Sequence, residues 1–220
     1  MNHFIEVFEN ALTDEQCDIC IDAVNHDNRS RSGTVNTEQG EIVDKNRKDD
    51  IELTLELQIQ EPIHEIICPV LIERGREYTE RQPAVTQIAS WTFTPYYNIQ
   101  KYNPGQGFHM LHTENGDNFT SNRILAWMFY LNTVTDGGGT YWENYDLLMN
   151  AVKGRLVIWP AYFTHFHKGI VSKTETKYIA TGWFQYSLRL IDSVYIMMYN
   201  VCVITTYYGE RIYSKSKVSC

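Results

Sequence analysis

GRLVIWPAYFTHFHKGIVSKTETKYIATGW, residues 154–183, joins an apolar run to an alternating one through a turn that carries two histidines. GRLVIWP has the composition of an apolar strand. In the second half Lys177, Ile179, Thr181 and Trp183 alternate with Tyr178, Ala180, Gly182 and Phe184, so a strand period of two puts the first four on one face. A lysine turned into the interior of a β domain is costly unless it meets an anion. The stretch therefore specifies a sheet and, inside it, a charged point in need of a partner.

Outward from it, the chain after Pro83 continues as short strands: SWTFTPYYNIQKYNPG and RILAWMFYLN have strand composition, with NPGQG and DGGG as turns. The first eighty residues differ. ALTDEQCDICIDAV places Thr13 as N-cap and Asp14 and Glu15 in a first turn, predicting a helix over about 14–25. ELTLELQI (52–59) alternates as a strand, and EPIHEIICPVLIERGREYTER predicts a helix over about 62–80 with Pro62 in its first turn, kinked or divided at Pro69. Residues 27–50 are polar and hold Gly33 and Gly40; they form either a disordered connection or a functional loop, available to close over a substrate. Helices first and strands afterwards predict an α+β domain in which helices buttress a β-sandwich or barrel. We expect one domain over 1–188 with its barrel core at about 85–188, followed by an extension, 189–220, of extra strands or tail. Within that extension LIDSVYIMMYNVCVITTYY is too short, and too interrupted by Asp192 and Asn200, to span a membrane.

A net charge of −8 gives no basic field for a phosphate backbone, so nucleic acid is disfavoured as a partner. MNHFIEVFEN lacks the basic start and apolar run of a secretory signal, which places the protein in the cytoplasm. Five scattered cysteines make no disulfide framework, and the Cys17–Cys20 pair shares a helical apolar stripe with Ile21 and Val24, so it reads as core.

Chemistry concentrates in FHMLHTENGD, residues 108–117. On a strand His112 and Glu114 project from one face, and a third ligand would make the two-His, one-carboxylate facial triad of non-haem iron oxygenases. His3, His26 and His64 lie in the helical part and near the N-terminus and read as structural or solvated. His165 and His167 both remain candidates, and His109 is a neighbour of the pair.

Here the chain resembles the Fe(II)- and 2-oxoglutarate-dependent dioxygenases, in particular the prolyl 4-hydroxylase-like branch. YNPGQGFHMLHTENGD, FYLNTVTDGGGT and KGRLVIWPAYFTHFHKGIVSKTETKYIATGW carry the likeness across about residues 85–186. The resemblance implies a double-stranded β-helix, a jelly-roll or cupin-like barrel, with iron on His112, Glu114 and His167. It prefers His167 to His165 because the family's distal histidine stands ten residues before its basic residue, as His167 does before Lys177. It further implies that Lys177 pairs with the far carboxylate of 2-oxoglutarate, that Thr181 supports that carboxylate, that Trp183 packs against the co-substrate, that the Tyr102 hydroxyl reaches it, and that Tyr130 lines the pocket. Fe(II), 2-oxoglutarate and O2 are implied cofactors and co-substrates, with ascorbate as a reductant.

Three features depart from the family: Glu114 stands where most prolyl hydroxylases have Asp, IVSKTET replaces the usual proline-containing stretch, and Gly139 replaces an acidic residue. The implied reaction is hydroxylation of an unactivated C–H bond, most simply in a prolyl residue of a protein or peptide, with release of succinate and CO2. Rival readings are hydroxylation of a free amino acid or other small molecule, and a non-catalytic metal-binding barrel acting as sensor or scaffold.

Overall fold

The computed structural model describes residues 2–37 and 40–187. Its elements run β1 (Glu6–Phe8), α1 (Asp14–His26), β2 (Arg31–Ser32), β3 (Val35–Thr37), β4 (Gly40–Ile42), β5 (Lys48–Asp49), β6 (Ile51–Glu56), α2 (His64–Arg81), β7 (Trp91–Phe93), β8 (Tyr96–Tyr102), β9 (Gly107–Phe108), β10 (Arg123–Tyr130), β11 (Thr140–Trp142), β12 (Leu147–Met149), β13 (Leu156–Pro160), β14 (His167–Gly169) and β15 (Lys177–Tyr186). The protein is thus mostly β with two helices. The predicted extension after residue 188 lies outside the described residues.

Helix α1 starts where its sequence demands. Thr13 accepts from the Gln16 amide and Gln16 reaches back to the Thr13 amide, a reciprocal capping box. Cys17, Cys20 and Val24 are buried along its inner stripe, and burial pushes the thiols of Cys17 up to about 11 and Cys20 up to about 12. Helix α2 runs unbroken through Pro69, so the expected division does not occur. Pro69 and Glu65 are both exposed, so the carbonyl that Pro69 cannot bond belongs to a residue on the outer side of the helix.

Eight strands make the major sheet, antiparallel in the order β1-β13-β10-β15-β8-β6-β2, with β7 also paired to β15. Among the described residues it stays open, with β1 and β2 at the ends of that order. One face carries Leu53, Leu55, Tyr97, Ile99, Trp127 and Phe129, packed with Ile67 and Leu71 of α2 and the buried stripe of α1. Each such aliphatic side chain contributes roughly 1.5–3 kcal/mol of burial. The opposite face carries Tyr102, Met128, Tyr130, Ile179 and Trp183 toward a three-stranded sheet, β12-β11-β14, which contributes Trp142. Covered on both sides, β10 is buried at every position. Lys177, Ile179 and Trp183 share that inner face as the alternation predicts.

Residues 27–50 are built into the fold. β2 pairs with β6, β3 with β4, and β5 with β9, so the segment forms a wall beside the inner face. Its anchor is ionic. Lys48, Asp50 and Glu52 are all buried, with the Lys48 ammonium bonded to Glu52 and 3.5 Å from Asp50. Asp50 fills the space where a side chain at residue 33 would stand; a Cβ on Gly33 would lie 1.8 Å from its Oδ1. Burial, against the pull of Lys48, raises the Asp50 carboxyl to about 7. No helix among the described residues is long and apolar enough to cross a membrane.

Removing one member of a buried ion pair leaves the other charge uncompensated. Lys48→Met should lower stability by about 3–5 kcal/mol in urea unfolding, and a loss under about 1 kcal/mol, the worth of an exposed pair, would show that the wall is not held this way.

Candidate metal centre and its pocket

Two backbone hydrogen bonds build the centre. The His112 amide donates to the His167 carbonyl and the His167 amide to the His112 carbonyl, each at 2.9 Å, an antiparallel bridge between the β9–β10 connection and β14. His112 is therefore on an isolated bridge and not on the regular strand expected. Glu114 is fixed two residues on, its amide donating to the Ala161 carbonyl at 3.1 Å.

His112, Glu114 and His167 converge, with one donor atom from each within 4.8 Å of the others; they could hold a metal ion. Glu114 Oε1 lies 3.6 Å from His112 Nε2 and 3.3 Å from His167 Nε2. Each imidazole bonds a main-chain carbonyl through Nδ1 at 2.9 Å, His112 to Met110 and His167 to His165. A carbonyl only accepts, so Nδ1 carries the proton in both rings. Burial and the neighbouring His112 push His167 down, keeping it neutral near pH 7, with its Nε2 lone pair facing the carboxylate. Burial alone would raise the Glu114 carboxyl, but hydrogen bonds and positive charge from the two imidazoles in their protonated form hold it well below the usual carboxylate range. Electron-pair donors so arranged, with their outer nitrogens already bonded, fit a cation.

His165 and His109 stand outside this cluster. Burial lowers the His165 pKa, and its Nε2 donates to the His3 carbonyl at 2.7 Å, tying β14 to the N-terminal segment. His109 is exposed.

A cavity of about 750 Å³ opens on the three donors and on Lys177. Lys177 is paired with Tyr102 across β8 and β15, its Nζ 5.7 Å from the Tyr102 ring and 5.5 Å from that of Tyr130. Among the described residues no carboxylate pairs with it, and burial pushes its pKa down to about 8. The inner end of the cavity thus presents a buried amine suited to an anion. Tyr102 and Thr181 also line the cavity; the Tyr102 hydroxyl donates to Gln100 at 2.8 Å and that of Thr181 to the Trp127 carbonyl at 2.9 Å. Tyr130 stands behind Lys177, off the cavity wall, its hydroxyl donating to Thr140 at 2.8 Å. Trp183 faces the cavity and donates its indole N–H to Glu114.

Gly139 has no room for the acidic side chain of related sequences, because a Cβ there would meet the Met149 carbonyl at 2.4 Å. Two contributors escaped the sequence reading. Arg123 lies against Trp183 and Glu114, and no local pattern announces it. Lys48, Asp50 and Glu52, spaced two apart, obey the same alternation that exposed Lys177, but Lys48 and Asp50 fell in the segment 27–50 read as a loop and only Glu52 in the predicted strand 52–59.

Residues 97–185 match the model of the 2OG-Fe(II) oxygenase superfamily. No curated protein matches the chain. Solved structures with a similar fold include three prolyl hydroxylases. A viral collagen prolyl hydroxylase from Paramecium bursaria Chlorella virus-1, with 2OG bound, is 19% identical at TM-score 0.62, the alignment covering 84% of this chain and 97% of that one. A Pseudomonas putida prolyl-4-hydroxylase is 13% identical at TM-score 0.61, over 85% and 95%. A Trichoplax adhaerens prolyl hydroxylase, in complex with a hypoxia inducible factor oxygen degradation domain peptide fragment, is 14% identical at TM-score 0.62, over 84% of each.

His167→Ala should abolish stoichiometric Co(II) or Fe(II) binding in a metal titration, while His165→Ala keeps it and loses about 1–3 kcal/mol of stability from the lost buried hydrogen bond. Metal binding that survives His167→Ala and fails in His165→Ala would reverse the choice of ligand.

Proposed function

We propose that this chain, whose residues 97–185 match the model of the 2OG-Fe(II) oxygenase superfamily, is such an oxygenase and hydroxylates a prolyl residue of a protein or peptide. Its cofactors are those of the superfamily, Fe(II), 2-oxoglutarate and O2, and it is an oxidoreductase. The observation that carries the site assignment is the opening of the three metal-suited donors and the buried Lys177 onto one cavity. A barrel acting only as scaffold has no use for an unpaired buried ammonium beside a metal centre.

His112, Glu114 and His167 would hold iron, leaving one side of it for co-substrate and oxygen. Bound there, iron, 2-oxoglutarate and O2 supply an oxidation in which one oxygen atom enters a substrate C–H bond and the other enters succinate as CO2 leaves. Lys177 binds the far carboxylate of 2-oxoglutarate, a charge-assisted contact strengthened by burial. Tyr102, held by Gln100, and Thr181 shape the wall around that carboxylate. The inner faces of the major and minor sheets we read as the two halves of a double-stranded β-helix, buttressed by α1 and α2, in one domain over residues 1–188.

A peptide substrate is supported by the length of the cavity floor. Tyr96, Asn98, Gln100 and Tyr102 line it from alternate positions of β8, a run of roughly 20 Å at strand rise, in which Gln100 and Tyr102 belong to the co-substrate end and Tyr96 and Asn98 carry the floor on beyond it. The structural neighbours that act on prolyl residues support the same reading.

With Fe(II) and 2-oxoglutarate, Pro-containing peptides should gain the mass of one oxygen in step with succinate. Gain on free amino acids alone would move the substrate to small molecules, and no succinate with any of them would favour the scaffold. Because Lys177 is protonated only below about pH 8, 2-oxoglutarate should bind about tenfold more weakly near pH 9 than near pH 7. Lys177→Arg, which keeps its charge, should flatten that dependence. An equally steep dependence in Lys177→Arg would assign it to another group.

A further inference from the structure

Glu114 has two carboxylate oxygens in different surroundings. Oε1 faces the two imidazoles, whereas Oε2 accepts the Trp183 indole N–H at 2.7 Å. Arg123 lies flat against the far side of this pair, its guanidinium carbon 3.5 Å from the Trp183 ring centroid and Nη1 3.9 Å from Oε2. Nη1 also donates to the Glu114 main-chain carbonyl at 3.3 Å and Nη2 to the Tyr96 hydroxyl at 3.1 Å, so the guanidinium is itself held at both ends. Arg123 is buried, and its residue starts β10, the strand whose neighbour β15 carries Trp183.

We propose that Trp183 and Arg123 are positioning residues that clamp one oxygen of Glu114 and so decide which oxygen, and at what reach, is offered to the metal. The need arises from Glu114 itself. A glutamate has one more rotatable bond than the aspartate usual at this place, and a free carboxylate at the end of that arm could swing away from the imidazoles. Holding Oε2 leaves Oε1 as the available ligand and settles the orientation before any metal arrives. A cation over the indole face is attracted to it electrostatically and draws electron density from the ring, which strengthens the N–H as a donor. The role differs from packing against 2-oxoglutarate, and the two can be told apart.

The inference rests on the metal-centre reading, so its test reads metal binding directly as well as turnover. The full chain, free of metal, is titrated with Co(II) and followed by visible absorption, in wild type and in Trp183→Phe and Arg123→Lys. Trp183→Phe keeps an aromatic ring under Arg123 and removes only the N–H; Arg123→Lys keeps the charge and loses the planar stack. Each should weaken Co(II) by about tenfold or more, in the range found for partners of metal ligands, and alter the absorption bands. In turnover kcat should fall while KM for 2-oxoglutarate holds. Combined with Glu114→Asp, whose shorter arm cannot span both the imidazoles and the indole, Trp183→Phe should add little further loss.

Unchanged Co(II) affinity and spectrum in both variants would overturn the clamp, whatever happens to KM. Should Trp183→Phe fail to fold, judged by circular dichroism, Arg123→Lys decides alone. Wild type that binds no Co(II) would instead overturn the three-residue centre, and the clamp with it.

Discussion

The site depends on one exchange of backbone hydrogen bonds, between His112 and His167. Each bond contributes on the order of 1 kcal/mol to stability, but their geometric effect is larger, because they bring together residues more than fifty positions apart in sequence with the Nε2 atoms of both rings facing inward. The Nδ1 bonds to Met110 and His165 then settle ring orientation and tautomer. Every other part of the centre is placed relative to this bridge. Glu114 follows two residues later, and β14 carries the bridge into the minor sheet through its pairing with β11.

Charge is distributed with similar economy. The cavity holds an amine that burial would rather deprotonate and, elsewhere on its wall, a carboxylate held below the usual range. Nearby, Lys48 is bonded to Glu52 and stands 3.5 Å from Asp50, whose two buried carboxylate oxygens have no hydrogen-bond partner, and the group anchors β5 beside the inner face. Two buried lysines thus have opposite roles. Lys48 is paired and structural, and Lys177, unpaired among the described residues, lines the cavity.

Much of this was legible in the chain. The capping box at Thr13, the apolar stripe through Cys17 and Cys20, and the strands around Leu156–Pro160 and Lys177–Tyr186 follow from local chemistry and appear where expected. Lys177 was readable because β15 is long enough to show its period. His112 and Glu114 were readable as a pair, but their spacing alone left His165 and His167 open, and the preference for His167 came from family likeness. The strand pairings within 27–50 are not readable because strands of two or three residues have no measurable period, while the place of its residues on the cavity wall agrees with the functional-loop alternative; α2 continues through Pro69, which stands on its exposed side. Arg123 and the bond from Trp183 to Glu114 could not be read, since each is a relation between distant segments with no signature in either.

The strand that carries Lys177 is the last described element of the chain, yet it lies in the middle of the major sheet, between β10 and β8. During synthesis those two strands must wait, with open hydrogen-bonding edges, until residues 177–186 emerge and insert between them. Contacts this distant in sequence make for slow assembly. Lys177 and Trp183 therefore reach the cavity together, when β15 pairs with both β10 and β8.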